Sequence, residues 1–258
     1  MKKGILVVSF GTSYSDTRAL TIDAIEKKIE ASFPDIPFYR AWTSRMILTK
    51  LKETTGENIP TVSEALLQMK EDKITDVYIQ PTHVINGIEN DQMKEDALAL
   101  QGDFHSISFG APLLSSTEDM RKIVQILGSS FADLDASEAL VLMGHGSEHY
   151  ANTVYPALDY MFKEMGYPYI HMGTVEAYPE LLHVTELLKK SKVKTVHLAP
   201  FMIVAGDHAN NDMAGEERDS WKSVFEKEGY DVVCHLKGLG EYEEVRKIFV
   251  KHLRDIYR

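Results

Sequence analysis

A single cysteine, Cys234, stands in 258 residues. That excludes a disulfide within the chain and a cysteine-built zinc cage, and it fits a reducing compartment. Cys234 lies in the apolar run Val232–Leu236 and is expected as a buried structural thiol. Positive charge is also scarce: 28 Lys and Arg face 39 Asp and Glu, a formal charge of −11. The basic excess of a general nucleic-acid binder is missing, as is the charge needed to adhere to an anionic membrane. No apolar run approaches the length of a membrane-spanning helix. In MKKGILVVSFGTS two lysines precede an apolar run, but the run ends at Ser9 and no small-residue cleavage site follows. It reads as a first strand, and the chain is expected to be cytoplasmic, with neither nucleic acid nor membrane as partner. Three familiar loops are missing as well. GTSYSDT lacks the Gly-Lys-Ser/Thr ending of an ATP loop, no GxGxxG occurs, and Ser147 in GHGSE is not in a G-x-S-x-G elbow. ATP, a dinucleotide and a hydrolase triad are thereby excluded.

What is present is an alternation of short apolar runs with amphipathic stretches. Strands are expected at Gly4–Ser9, Phe38–Trp42, Val77–Gln80 and Ser106–Phe109, then at Ala139–Met143, Tyr169–Val175, Thr195–Leu198 and Val232–Leu236. Helices are expected between them, the first over Ser15–Ser32 with Ile22, Ile25 and Ile29 on one face and Pro34 beyond its end. Ser116-Thr117-Glu118-Asp119 has the form of a capping box. The last helix, 241–258, opens with Glu241, Glu243 and Glu244 and closes with Lys251, Arg254 and Arg258, an order that suits the helix dipole. Strands alternating with helices imply parallel sheets covered on both faces. The polar stretch Gly128–Ser137 is the expected boundary between an N-terminal α/β lobe, 1–128, and a C-terminal one, 137–258. Whether the last helix crosses to the first lobe is open at this stage.

The two halves also resemble each other. GILVVSFGTSYSDT matches ALVLMGHGSEHYANT in pattern, and VYIQPTHVINGIEND matches VHLAPFMIVAGDHANND. In this register Phe10 falls over His145 and Glu89 over His208. The reading is a duplicated α/β lobe, the two copies facing one another across a cleft.

Chemistry concentrates in the second copy. Ala139–Tyr150, ALVLMGHGSEHY, is a buried strand feeding a glycine-rich turn, and open α/β sheets bind ligands at such carboxyl ends. His145, Glu176 and His208 follow three consecutive expected strands, so one sheet edge gathers all three. Two imidazoles and a carboxylate suit a divalent first-row metal such as cobalt, iron, nickel or zinc, and three protein ligands leave positions open for exchange. Without metal the same imidazoles accept protons near neutral pH. Each residue alone also reads as a turn or cap; only their equivalent positions argue for a site. In the first copy, His83 stands at the matching strand end, as a base, a substrate contact or a structural residue. The turn Phe10-Gly11-Thr12-Ser13 offers N–H groups and hydroxyls to an anion at a helix start. His149 either flanks the site or is exposed. His171 and His197, within strands, are expected as hydrogen-bonded core residues.

With these residues in place, the chain resembles the class II, ATP-independent tetrapyrrole chelatases, and among them the anaerobic sirohydrochlorin cobalt chelatases of cobalamin biosynthesis. The similar stretches are LVVSFGTSYSDT, RAWTSRMI, HVINGIE, GAPLLSS, LMGHGSEHYA, GTVEAYPE, MIVAGDHANNDMAG with DSWK, and GLGE, and they span the chain. The resemblance implies two flavodoxin-like lobes with the active site in the cleft between them. It implies insertion of Co²⁺, as substrate, into sirohydrochlorin or its precorrin form, with no permanently bound cofactor; Fe²⁺, Ni²⁺ or Zn²⁺ could occupy the same site. It makes His145 the proton acceptor and His145, Glu176 and His208 the metal ligands. Phe10, Gly11, Thr12, Ser13, His83 and Glu89 would form the substrate wall, with Arg45 a further group for the substrate carboxylates. Asn90 departs from the pattern, which often has an aromatic there. An iron chelatase making sirohaem and a metal or tetrapyrrole carrier without turnover are the alternatives. Homo-oligomerisation is left open.

Overall fold

Strand and helix alternate throughout residues 1–257, which are described by a computed structural model. The chain forms two units. The first comprises Met1–Ser115 and the chain from Gly240 onward, and the second Ser116–Leu239. Unit 1 contains β1 (Lys3–Ser9), α1 (Ser15–Leu20), α2 (Ile22–Ser32), β2 (Phe38–Trp42), α3 (Arg45–Thr55), α4 (Val62–Glu71), β3 (Asp76–Pro81), α5 (Ile88–Leu98) and β4 (Ser106–Phe109). Unit 2 contains α6 (Thr117–Ser130), β5 (Glu138–Gly144), α7 (Val154–Glu164), β6 (Ile170–Thr174), α8 (Leu181–Leu188), β7 (Thr195–Pro200), α9 (Trp221–Lys227) and β8 (Asp231–Cys234). The final helix, α10 (Glu243–Ile256), returns to unit 1. Arg258, expected near its end, lies outside the described residues.

Each unit has a four-stranded parallel sheet with the same order, β2-β1-β3-β4 and β6-β5-β7-β8. The central strands read as unbroken apolar runs because helices cover both faces. In β1 every residue from Gly4 to Ser9 is buried, and in β5 every residue from Ala139 to Gly144. Leu6, Val8, Leu66, Met69, Val77, Ile79 and Met93 form one core of unit 1. Val141, Met143, Val184, Leu198, Trp221 and Phe225 belong to one core of unit 2.

Three expectations change. The division falls at 115/116 and 239/240, not across Gly128–Ser137. The reason is packing: α6 lies on α7, and amphipathic α10 buries Val245, Ile248, Phe249 and Leu253 while packing on α2 and β3. The expected helix 15–32 is two helices, because the Thr21 hydroxyl donates to Thr17 carbonyl at 2.5 Å and Thr21 leaves the helical region at φ −119°, ψ −84°. Cys234 is half-buried, since β8 is an edge strand. His171 is hydrogen-bonded as expected, its Nδ1 accepting from the Lys163 ammonium at 3.5 Å.

Burial and that ammonium push His171 down to about 4, and burial pushes His83 of unit 1 down to about 4 as well, from an ordinary 6.5. Each folded unit therefore binds fewer protons than its unfolded chain between those values. Stability is full above pH 6.5 and is lost as pH falls through 4, by up to about 3 kcal/mol per histidine. Denaturant unfolding across this window should show the decline, and His171→Gln should remove the part due to unit 2 while the His83 part remains.

Candidate metal centre

β5 delivers Gly144 to the carboxyl edge of the unit 2 sheet, and the chain then turns through His145 and Gly146. Gly146 has φ +87°, and a Cβ there would lie 2.9 Å from the Ala177 nitrogen. A Cβ on Gly144 would lie 2.6 Å from the Tyr155 ring. Both neighbours of His145 must therefore be glycine for the backbone to pass between α7 and the loop after β6. That loop is tied to the turn by two backbone bonds. Val175 N–H donates to Gly144 carbonyl at 3.0 Å, and Glu176 N–H to His145 carbonyl at 2.9 Å. They continue the β5–β6 ladder beyond the strands and set Glu176 beside His145. Asn152 adds a side-chain bracket: its Oδ1 accepts from Ser147 N–H at 3.0 Å and its Nδ2 donates to Tyr178 carbonyl at 2.7 Å.

The third residue comes from the segment after β7. His208 leads into a π-helical turn, Ala209–Met213. Its ring meets that of His145 edge-on, with centroids 4.8 Å apart and planes at 86°. Glu176 Oε2 lies 3.7 Å from His145 Nδ1. One ligand atom from each of His145, Glu176 and His208 lies within 4.8 Å of the others. The order of strand ends in the sequence puts these three at one sheet edge, and the structure brings them together.

Hydrogen bonding determines which nitrogens are free. His145 Nδ1 is 2.9 Å from Gly146 carbonyl, which only accepts, so Nδ1 carries the proton and Nε2 keeps its lone pair. His208 Nδ1 lies 2.5 Å from Asp212 Oδ2, which likewise leaves Nε2 free. Side-chain exposures of 44%, 57% and 34% for His145, Glu176 and His208 keep the cluster open to solvent. An ion held there by three groups would retain exchangeable positions, unlike a closed four-ligand structural site.

The residues expected in unit 1 are placed differently. Phe10, 41% exposed, and Glu89, on the first turn of α5, reach the surface, as does Arg45. Thr12 is buried and its hydroxyl accepts from Tyr14 N–H at 3.2 Å, while Ser13 is half-buried and Gly11 packs on the Trp42 ring. The His83 imidazole is buried at 8% exposure, and among the described residues neither ring nitrogen has a hydrogen-bond partner. Its burial, with Asn90 alongside, keeps the ring neutral, which fits the structural reading among the three left open for it. His149 caps the turn Tyr150–Thr153 through its Nδ1 and is half-buried. Asp212 and Asn152 do not stand out in the sequence; the His-x₃-Asp spacing from His208 to Asp212 is the one signal for the first.

A match to the family model described as cobalt chelatase (CbiK) covers residues 3–258. The chain belongs to the cobalt chelatase (CbiK) family. It is 42% identical over 253 residues to a sirohydrochlorin cobaltochelatase of Salmonella typhimurium, covering 98% of this chain and 96% of that one. It is 34% identical over 255 residues to the sirohydrochlorin cobaltochelatase CbiKC of Nitratidesulfovibrio vulgaris, covering 98% and 89%. The fold is that of solved chelatase structures. It resembles SirB from Bacillus subtilis with Fe³⁺, with a TM-score of 0.67 at 16% identity over 99% of this chain and 95% of that one. It also resembles CbiX, a terminal enzyme of sirohaem biosynthesis in denitrifying bacteria, with a TM-score of 0.59 at 12% identity over 99% and 100%. Within this cobalt chelatase family member, no helix among the described residues is long and apolar enough to cross a membrane.

Gly146→Ala should cost about 1–3 kcal/mol through left-handed strain and the Ala177 contact, and should weaken Co²⁺ binding. Gly166→Ala, at φ +93° with open space around it, should lose about 1 kcal/mol and leave Co²⁺ binding intact. Denaturant unfolding and Co²⁺ titration of both variants check the difference.

Proposed function

We propose that this chain inserts Co²⁺ into sirohydrochlorin without ATP. The observation that carries the reading is the open His145–Glu176–His208 cluster, with ligand atoms within 4.8 Å and the Nε2 lone pair of both imidazoles unspent. The identities to two sirohydrochlorin cobaltochelatases support the choice of macrocycle and metal.

The reaction exchanges two pyrrole protons for one divalent ion. Charge balances, and nothing is oxidised or reduced, so the protein must supply a metal hand-off and a proton acceptor. Glu176, His145 and His208 suit the hand-off, since a carboxylate and two imidazoles bind a borderline ion and three ligands leave room for ring nitrogens to replace them one at a time. His145 suits the proton transfer. An ion held there would occupy its Nε2 lone pair; on transfer of the ion to the macrocycle that lone pair would be free to take one pyrrole proton, and the second would pass to solvent water at the open cluster. The Gly146 carbonyl keeps Nδ1 protonated throughout and so fixes which nitrogen does this. The charge of −11 favours the approach of a dication.

The test is spectral. Metal-free sirohydrochlorin and Co²⁺ are mixed anaerobically with the protein, and the absorbance shift of the ring is followed. Catalysed insertion should exceed the protein-free rate, His145→Ala should lower kcat by about 10²-fold or more, and Glu176→Ala should raise the KM for Co²⁺. A rate equal to the protein-free control would leave a carrier without turnover. Faster insertion of Fe²⁺ at equal free metal would replace cobalt by iron.

A further inference from the structure

We propose that Asp212 is a positioning residue for His208, holding its imidazole in the Nδ1–H tautomer and aiming Nε2 at the ion. The inference rests on the metal-centre reading above. Asp212 Oδ2 stands 2.5 Å from His208 Nδ1, and one ligand atom each of Glu176 and His145 lies within 4.8 Å of one on His208. A carboxylate at that distance only accepts, so the proton must sit on Nδ1 and the lone pair on Nε2. A carboxylate behind a metal-binding imidazole also raises its donor strength and restricts ring rotation.

The local backbone provides for this pair. His208 and Asp212 stand four positions apart across the π-helical turn Ala209–Met213, whose wider winding is marked by Ala214 N–H donating to Ala209 carbonyl at 3.2 Å. Asn210 Nδ2 donates to Gly206 carbonyl at 2.7 Å and ties the turn back to the segment that brings it from β7. Ala209 and Met213 are buried in the unit 2 core, which anchors the inner side of the turn. Asp212 therefore projects from a fixed element, and its own side chain is 46% exposed, so replacing it removes no core packing. His145 reaches the same tautomer through a backbone carbonyl, so only His208 depends on a side chain that substitution can remove.

The experiment uses the full chain, titrated anaerobically with Co²⁺ and followed by the visible d–d absorption of the bound ion. His208→Ala and Glu176→Ala report on the site itself, and both should weaken Co²⁺ at least tenfold. Asp212→Ala should weaken it about 10–100-fold. Asp212→Asn, whose amide oxygen can still accept from Nδ1, should bind more tightly than Asp212→Ala. Long-range ¹⁵N–¹H spectra of the metal-free protein should show His208 protonated on Nδ1, and this signature should shift toward Nε2–H in Asp212→Ala. If Asp212→Ala binds Co²⁺ within twofold of the parent while His208→Ala does not, the positioning role is overturned. Equal affinities of the Asn and Ala variants, or an unchanged tautomer, would also overturn it. If His208→Ala and Glu176→Ala bind as the parent does, it is the metal-centre reading that fails.

Discussion

Two backbone hydrogen bonds beyond the end of a strand pair organise the centre. Val175 N–H to Gly144 and Glu176 N–H to His145 extend the parallel ladder past β5 and β6, so that a carboxylate and an imidazole emerge side by side. In unit 2 the glycines on both sides of His145 make room for this extension, since a Cβ there would meet Tyr155 or Ala177. The third ligand needs no such device. It enters from the neighbouring strand β7 and meets the pair because parallel strands present their carboxyl ends along one edge.

The same backbone occurs in unit 1. Thr43 N–H donates to Ser9 carbonyl at 3.0 Å and Ser44 N–H to Phe10 carbonyl at 3.1 Å, matching the pair in unit 2. Phe10 occupies the place of His145, and Ser44 that of Glu176. In unit 1 Ser44 spends its hydroxyl on capping α3, accepting from Ile47 N–H. One backbone thus serves two purposes: it carries the proposed metal ligands in one copy, and Phe10 and a capping Ser44 in the other. The duplication read from the sequence is visible here as shared hydrogen bonds, and the identical strand orders agree with it.

The strands and the juxtaposition of three proposed ligands were legible because they depend on local patterns: unbroken apolar runs, glycine turns, and polar residues directly after strands. His145, Glu176 and His208 follow from counting strand ends. The unit membership of α6 and α10 was not legible, because it depends on which apolar face each helix meets and not on its own periodicity. Thr21 breaks its helix through a side-chain bond that competes with the backbone ladder, a choice that propensity alone leaves undecided. His83 occupies a strand end, as a ligand would, yet it is buried; exposure at a strand end is set by what packs around it. Asp212 was not legible because the partnership of residues 208 and 212 rests on the form of a π-helical turn.

Everything in the proposed chemistry requires that one sheet edge bring two imidazole nitrogens and one carboxylate oxygen onto a single divalent ion. A crystal structure of the protein soaked with Co²⁺, with the ion located by anomalous scattering at the cobalt edge, would decide this. One ion should be found, bound by His145, Glu176 and His208 at about 2.0–2.2 Å, with its remaining positions open to solvent. An ion held elsewhere, or one surrounded by oxygen atoms alone, would contradict it.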